Sequence, residues 1–150
     1  MSQSLTNVLV HLIYSTKNRE RLITDAVRDE LHRYSAAIFK TCGCPAILIN
    51  SVEDHVQRCS PLARTAAISD VVEEVKKSTS KWIKTKGTAF SQFYWQSGYG
   101  AFSVSQSNLD QVLKYVANQA EHHRRKTFQE EYREFLKRHG IAFDERYVWD

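Results

Sequence analysis

The order of apolar and polar segments predicts an α+β fold with a ferredoxin-like antiparallel sheet, helices on one face and a C-terminal helix that bears a tyrosine. Short β-rich segments alternate with longer segments of helical periodicity, in the order β-α-β-β-α-β-α-α. The 150 residues also suffice for one domain with a sizeable core. We therefore expect a single domain over residues 1–150.

Four segments have the composition of strands. Residues 7–15, NVLVHLIYS, are apolar on both alternations, which is typical of a strand covered on both faces. Residues 45–52, PAILINSV, form a second strand, and a tight turn at 53–54 leads into a third, short strand that begins at His55. Residues 93–105 are aromatic, interrupted by glycine, and then strand-like.

Four segments have helical spacing and recognisable ends. The first expected helix, 24–40, has Thr24 or Asp25 as cap and ends at Cys42-Gly43, and the second, 69–84, begins with a capping box of Asp70 and Glu73. The third runs from 109 to about 123 with Asn108 as cap. The last helix lies between Thr127 and Gly140.

Composition favours a cytoplasmic protein without a membrane partner. Hydrophobic residues make up 42% and charged residues 25%, which is ordinary for a soluble domain. No apolar run reaches the roughly 18 residues of a membrane span, and the N-terminus lacks the pattern of a signal peptide. Three cysteines, an odd number, argue against a disulfide framework.

The net charge of +4 is unevenly distributed. The basic excess lies mostly between residues 54 and 109, where Lys77, Lys81 and Lys84 follow one another at helical spacing. Such a stripe is either a solvated helix face or a surface for a polyanion.

The segment EDHVQRCSPLA, residues 53–63, places His55 and Gln57 two positions apart on the third strand. Residues i and i+2 of a strand project from one face, so both side chains can reach one ion. Imidazole nitrogen and amide oxygen are both possible ligands of a divalent cation.

The helix LDQVLKYVANQAEHH, residues 109–123, has an apolar stripe formed by Leu109, Val112, Leu113, Val116 and Ala120. Tyr115 lies about 120° from the centre of this stripe. Gln119 lies one turn further along the same side. We therefore expect Tyr115 and Gln119 to point together towards something outside the core.

A strand with HVQ and a later helix with YVANQ resemble the single-tyrosine HUH transposases of the simplest bacterial insertion sequences, the IS200-like family. In the HUH motif two histidines flank a bulky apolar residue. The segments STKNR, EDHV, VEEVKKSTSKWIKTK, WQSGYGAFSVSQSN, YVANQAEHHRRKTFQEEY and FDERYVWD also look like this family, so the resemblance covers nearly the whole chain.

The resemblance implies an enzyme that cleaves and rejoins single-stranded DNA at the ends of a mobile element through a 5′-phosphotyrosine intermediate. It implies that Tyr115 is the nucleophile, and that His55 and Gln119 hold Mg²⁺ or Mn²⁺, with Gln57 at the position of the second HUH histidine. It further implies hairpin-forming DNA and a homodimer. From the basic stripe we expect the phosphates of this DNA to be contacted by Lys77, Lys81 and Lys84, together with Lys17 and Arg19. The polar residues Gln106-Ser107-Asn108 are suited to a hinge before the tyrosine helix.

Two alternatives stay open. Gln57 departs from the HUH pattern, and Arg58, Cys59, Ser60 and Pro61 stand where the family has apolar residues. A local change of coding frame would produce this stretch, because the likeness resumes at Leu62 without a change in length. The chain could then be a catalytically weakened relative that still binds DNA hairpins. The second alternative is an RNA-binding ferredoxin-like domain that stacks bases on aromatic residues of the sheet, namely Phe93, Tyr94, Trp95, Tyr99 and Phe102.

Overall fold

The computed structural model describes residues 2–150 and contains one four-stranded antiparallel sheet. Its strands are β1 (Leu9–Ser15), β2 (Leu48–Ser51), β3 (His55–Pro61) and β4 (Gly100–Val104), in the spatial order β2-β3-β1-β4. With a helix after β1 and another after β3, this is the ferredoxin-like arrangement, and the predicted fold class is confirmed.

The first core lies between the sheet and two helices, α1 (Asp25–Thr41) and α2 (Ile68–Ile83). Leu12 and Tyr14 of β1 and Val56 of β3 point into it, and Phe39 and Val75 fill it from the helices. These two helices occupy the positions that the sequence predicts.

The second core covers the opposite face of the sheet. It is formed by three C-terminal helices, α3 (Leu109–Ala117), α4 (Gln119–His122) and α5 (Phe128–Arg138). Ile13 and Phe102 from the sheet meet Phe128, Tyr132 and Phe135 from α5. Because helices cover both faces, every residue of β1 is buried, as its apolar alternations predict.

The second core is relevant to the hypothesis that the chain is an RNA-binding domain. Phe93, Trp95 and Phe102 are buried, and only Tyr94 and Tyr99 of the five aromatic residues are exposed. The described part of the chain therefore leaves no open aromatic sheet face on which bases could stack.

The helix ends agree with the sequence in some places and not in others. Thr127 caps α5 by accepting a hydrogen bond from the backbone N–H of Glu130 at 3.2 Å. The capping box at Asp70 was wrong, because α2 already begins at Ile68. The tyrosine helix was predicted to be continuous but is interrupted at Asn118, whose ψ of 19° separates α3 from α4.

The unusual stretch after Gln57 remains part of a regular strand. Arg58 points into the first core, as its alternation with Val56 predicts, and its guanidinium lies 3.8 Å from the centre of the Phe39 ring. It donates hydrogen bonds to the carbonyl oxygen of Cys44 at 3.2 Å and to the hydroxyl of Ser60. Pro61 is the last residue of β3 and extends beyond the paired residues of β2, so its missing N–H interrupts no bond between those two strands.

None of the helices in residues 2–150 combines the length and the apolar character that a membrane crossing requires.

Candidate active site

The face of β3 that meets the C-terminal helices carries His55 and Gln57. The period of two along the strand brings both side chains to this face, and both are fully buried. Gln57 is paired with Ile13 of β1 and with Asn50 of β2, so it lies in the middle of the sheet. The structure thus brings the two strand residues together as the sequence predicts.

The imidazole of His55 lies between two carboxylates. Its Nδ1 is 2.7 Å from Oδ1 of Asp54, and its Nε2 is 3.9 Å from Oε1 of Glu131. Burial lowers the pKa of His55, so the ring is neutral near pH 7. With Nδ1–H donating to Asp54, the lone pair of Nε2 is left facing Glu131.

Both ends of the Gln57 amide are engaged in hydrogen bonds. Its Oε1 accepts a hydrogen bond from Nε2 of His11 at 2.8 Å, and its Nε2 donates to Oε1 of Glu131. The amide therefore connects β1 to α5 across the sheet, and its oxygen is already occupied in this arrangement.

Gln119 is buried at the first position of α4, directly after the break at Asn118. Its Nε2 donates to the backbone oxygen of His55 at 3.4 Å. Its Oε1 is buried and, among residues 2–150, has no hydrogen-bond partner. The structure thus brings Gln119 to the strand that carries His55.

Tyr115 is half-buried between α3 and α5. Its ring stacks on His122 at 4.4 Å between centroids and contacts the rings of Phe135 and His11 edge-on at 5.5 and 6.3 Å. The expectation that Tyr115 points away from the core was wrong, because α5 adds a second core on this side of the helix. Burial, reinforced by the Glu131 carboxylate, raises the pKa of Tyr115.

Two cavities border Tyr115, and both are lined by basic side chains. One of about 270 Å³ is lined by His122, Arg125, Lys126 and Arg138, together with other residues. The other, of about 190 Å³, is lined by His11, Gln111 and again Arg138. The phenol thus lies where an anionic group could approach it.

Two residues of this site, His123 and Glu131, are absent from the sequence-based prediction. The ring of His123 lies 4.3 Å from that of His55, and its Nε2 is 3.4 Å from Oε2 of Glu131. The sequence does indicate that Glu131 is buried, because this residue lies on the apolar stripe of α5, at helical spacing between Phe128 and Phe135. A carboxylate on a buried stripe is rare without a partner.

The predicted DNA-binding residues fall into two places. Lys77 and Lys81 are exposed on α2, and Lys84 lies 4.4 Å above the ring of Tyr94. The backbone N–H of Lys17 donates to the carbonyl oxygen of Tyr94 at 2.8 Å, which joins Lys17 to this group. Arg19 lies apart from them, on a cavity of about 280 Å³ that Asp54, His123 and Lys126 also line.

Residues 4–119 match the sequence profile of the family described as Transposase IS200 like. The chain belongs to this family. Among solved structures, the transposase is similar to a candidate transposase from Deinococcus radiodurans, with 22% identity, a TM-score of 0.62, and 79% of this chain and 98% of that chain covered. It is also similar to a REP-associated tyrosine transposase bound to a REP hairpin, with 12% identity, a TM-score of 0.59, and 82% and 74% covered. No curated protein matches it.

The family match ends at Gln119, which is the first residue of α4. His123 and Glu131 therefore come from the part of this transposase that follows the matched region. At identities of 22% and 12%, the likeness to the two solved structures supports the fold alone.

Proposed function

We propose that this transposase cleaves and rejoins single-stranded DNA at the ends of an insertion sequence, and that residues 1–150 act as one HUH endonuclease domain. The observation that best supports this is the position of Tyr115. Its ring contacts His11, which is hydrogen-bonded to Gln57 on the strand of His55, and the Glu131 carboxylate raises its pKa. A potential nucleophile and a cluster of potential cation ligands are thus adjacent within one chain.

In the proposed reaction the phenol oxygen of Tyr115 attacks a backbone phosphorus atom. The bond from phosphorus to the 3′ oxygen breaks, the phenol loses its proton, and the leaving oxygen ends as a 3′-hydroxyl. The DNA is then held as a 5′-phosphotyrosine. A second 3′-hydroxyl attacks the same phosphorus and releases Tyr115, so that the ends are rejoined without an external energy source.

The buried atoms of the site fit a divalent cation, Mg²⁺ or Mn²⁺. In the described chain, Nε2 of His55 and Oε1 of Gln119 are buried without a hydrogen-bond partner, so both are available as ligands. Gln57, at the position of the second HUH histidine, has its oxygen bonded to His11 instead. When bound, the cation would polarise the scissile phosphate and stabilise negative charge in the transition state.

We infer that the basic side chains contact phosphates of hairpin-forming DNA. Lys77 and Lys81 are exposed on α2, and Tyr94 is contacted both by Lys84 and by the backbone of Lys17. Arg19 lies nearer to the active site. Such contacts position the DNA and carry little sequence information. The solved REP-associated relative was bound to a hairpin, which agrees with this choice of substrate.

We further propose that the chain acts as a homodimer. Gln106–Asn108 forms a short, exposed 3₁₀ turn between β4 and the tyrosine helix. A change of direction in this turn would carry α3 to the His55 strand of a second copy, which is the exchange expected from the resemblance.

A second candidate is a catalytically weakened relative that still binds hairpins. Two observations favour it. The amide of Gln57 is already used in hydrogen bonds, and the next residue, Arg58, is buried on the opposite face of the sheet with its Nε atom unpaired within residues 2–150. The fold and the basic surface are the same for both candidates, so only the chemistry separates them.

The test is the formation of covalent protein–DNA adducts on hairpin-bearing single strands in Mn²⁺ or Mg²⁺, resolved on denaturing gels. We expect adducts with the parent protein and none with Tyr115→Phe, because only the hydroxyl is removed. Tyr34→Phe is the matched control, because Tyr34 is exposed on α1 and takes no part in the proposed site, and it should form adducts at the parent level. Hairpin binding without adducts in the parent would favour the weakened relative.

A further inference from the structure

Three potential metal ligands converge beside the proposed nucleophile. One donor atom each from His55, His123 and Glu131 lies within 4.8 Å of the other two. Nε2 of His123 is 3.4 Å from Oε2 of Glu131, and Nε2 of His55 is 3.9 Å from Oε1 of the same carboxylate. Donors about 2.1 Å from one ion can be at most about 4.2 Å apart, so a small closing movement would bring all three into its coordination sphere.

Hydrogen bonds of ordinary geometry account for only part of the burial of these three side chains. Within residues 2–150, Nε2 of His55, Nε2 of His123 and Oε2 of Glu131 are buried without a hydrogen-bond partner. Unpaired buried polar atoms destabilise a fold, so a cluster of them calls for a missing partner. A divalent cation bound between these atoms would supply that partner.

The surroundings of His55 also suit a metal ligand. Its Nδ1 is 2.7 Å from the carboxylate of Asp54, an arrangement in which a carboxylate fixes the tautomer and orientation of a ligating imidazole. This hydrogen bond can keep Nε2 of His55 directed towards Glu131.

We propose that His55, His123 and Glu131 form the divalent-cation site of this transposase, and that Glu131 takes over the part of the missing second HUH histidine. The inference rests on the proposed function, and replaces Gln57 as a ligand by a carboxylate from α5. The Glu131 carboxylate supplies the negative charge that a ligand set of His55, Gln57 and Gln119 lacks. Gln119 remains available as a fourth ligand through its Oε1, which has no hydrogen-bond partner among the described residues.

Gln57 then acts as a positioning residue. Its amide donates to Oε1 of Glu131 while its own oxygen is fixed by His11, so it holds the carboxylate near His55. A histidine at position 57 would reproduce the family motif but would lose this contact with α5. The departure at position 57 and the buried carboxylate at position 131 are thus two parts of one arrangement.

The ligand set also distinguishes between the two candidate cations. Two imidazoles and one carboxylate suit a transition ion, whereas Mg²⁺ prefers oxygen ligands and retains much of its water. We therefore expect Mn²⁺ to bind more tightly than Mg²⁺.

The test measures metal binding in the absence of DNA. Full-length protein freed of metal with EDTA is titrated with Mn²⁺, and the free ion is followed by electron paramagnetic resonance. We expect one site in the parent and an affinity at least tenfold lower in Glu131→Gln and in His123→Ala. Glu130→Gln is the matched control, because it removes the same charge from an exposed neighbour on the same helix and should bind as the parent does.

Parent-like Mn²⁺ affinity in folded Glu131→Gln and His123→Ala would overturn the proposal, even if adduct formation were lost. A higher affinity in Gln57→His than in the parent would overturn it too, because it would restore position 57 as a ligand. Circular dichroism shows whether each variant is folded, and the nearly isosteric Glu131→Gln should remain so. Because no DNA is present, failure of the adduct test would leave the metal result intact, and the reverse also holds.

Discussion

Replacing Arg58 by methionine should stabilise the protein. The Arg58 side chain is almost fully buried in the first core, packs on Phe39, and donates to the carbonyl oxygen of Cys44 and to Ser60. Burial lowers its pKa, but a guanidinium remains charged at neutral pH. No carboxylate within residues 2–150 forms a salt bridge with it, and its Nε atom has no partner there.

The magnitude follows from two opposing effects. Replacing buried ion pairs by apolar groups of similar volume has stabilised proteins by about 1–4 kcal/mol, and we take this range for the buried guanidinium of Arg58. Loss of the contact between the guanidinium and the Phe39 ring costs about 1–2 kcal/mol. The midpoints of the two ranges leave a net gain of about 1 kcal/mol, which corresponds to a rise in Tm of about 2–4 °C for a chain of this length.

The measurement is urea unfolding of the parent and Arg58→Met followed by circular dichroism, with a thermal scan as a second readout. Arg33→Met is the matched control, because Arg33 is exposed on α1 and its loss should change the free energy of unfolding by less than about 0.5 kcal/mol. If Arg58→Met unfolds at a lower urea concentration with an unchanged slope, the reasoning about this buried charge is refuted.

Three further predictions concern DNA, assembly and pH. Lys81→Glu combined with Lys84→Glu should weaken hairpin binding and make its logarithmic salt dependence shallower by about 1.4, the equivalent of two single-strand phosphate contacts; an unchanged slope would remove this surface from the DNA site. Sedimentation at micromolar concentration should give twice the 17.4 kDa mass of the chain, whereas a monomer would contradict the proposed dimer. Burial lowers the pKa of His11, His32 and His55, so below about pH 6.5 the unfolded chain binds protons more readily than the folded one, and the free energy of unfolding should fall on acidification. His32→Gln should reduce this fall between pH 7.5 and 5.5, and a dependence identical to that of the parent would exclude His32 as a contributor.

The sheet could be predicted because its signal is local. Residues 7–15 are apolar on both alternations, and this alone indicates a strand covered on both faces. The spacing of His55 and Gln57 likewise fixes their common face without knowledge of any other element. The same alternation predicts that the side chain of Arg58 points to the opposite face, and it is buried there in the first core, as expected.

The orientation of Tyr115 could not be predicted in the same way. A helical projection of residues 109–123 assumes one straight helix and one core, but the chain breaks at Asn118 and α5 adds a second core. The side of α3 that the projection assigns to solvent therefore meets Phe135. Periodicity describes one element at a time and carries no information about which later helix packs on it.

The His123 and Glu131 contacts were missed for a related reason. Glu131 reaches a strand residue 74 positions earlier in the chain, and only the packing of α5 on the sheet brings them together. The charge of Glu131 suggests an exposed residue, although its position on an apolar stripe indicates burial. Periodicity could therefore have indicated that this carboxylate is buried, but not that it lies beside His55.

Mass spectrometry of the covalent adduct tests the central claim most directly. The parent protein is incubated with hairpin-bearing single-stranded DNA and Mn²⁺, then treated with nuclease and trypsin. Cleavage after Lys114 and Arg124 gives the peptide YVANQAEHHR, residues 115–124, which contains Tyr115 as its only tyrosine. We predict a nucleotide linked through its 5′ phosphate to Tyr115 of this peptide. An adduct on another residue, or cleaved DNA without any adduct, would contradict the assignment of Tyr115 as the nucleophile.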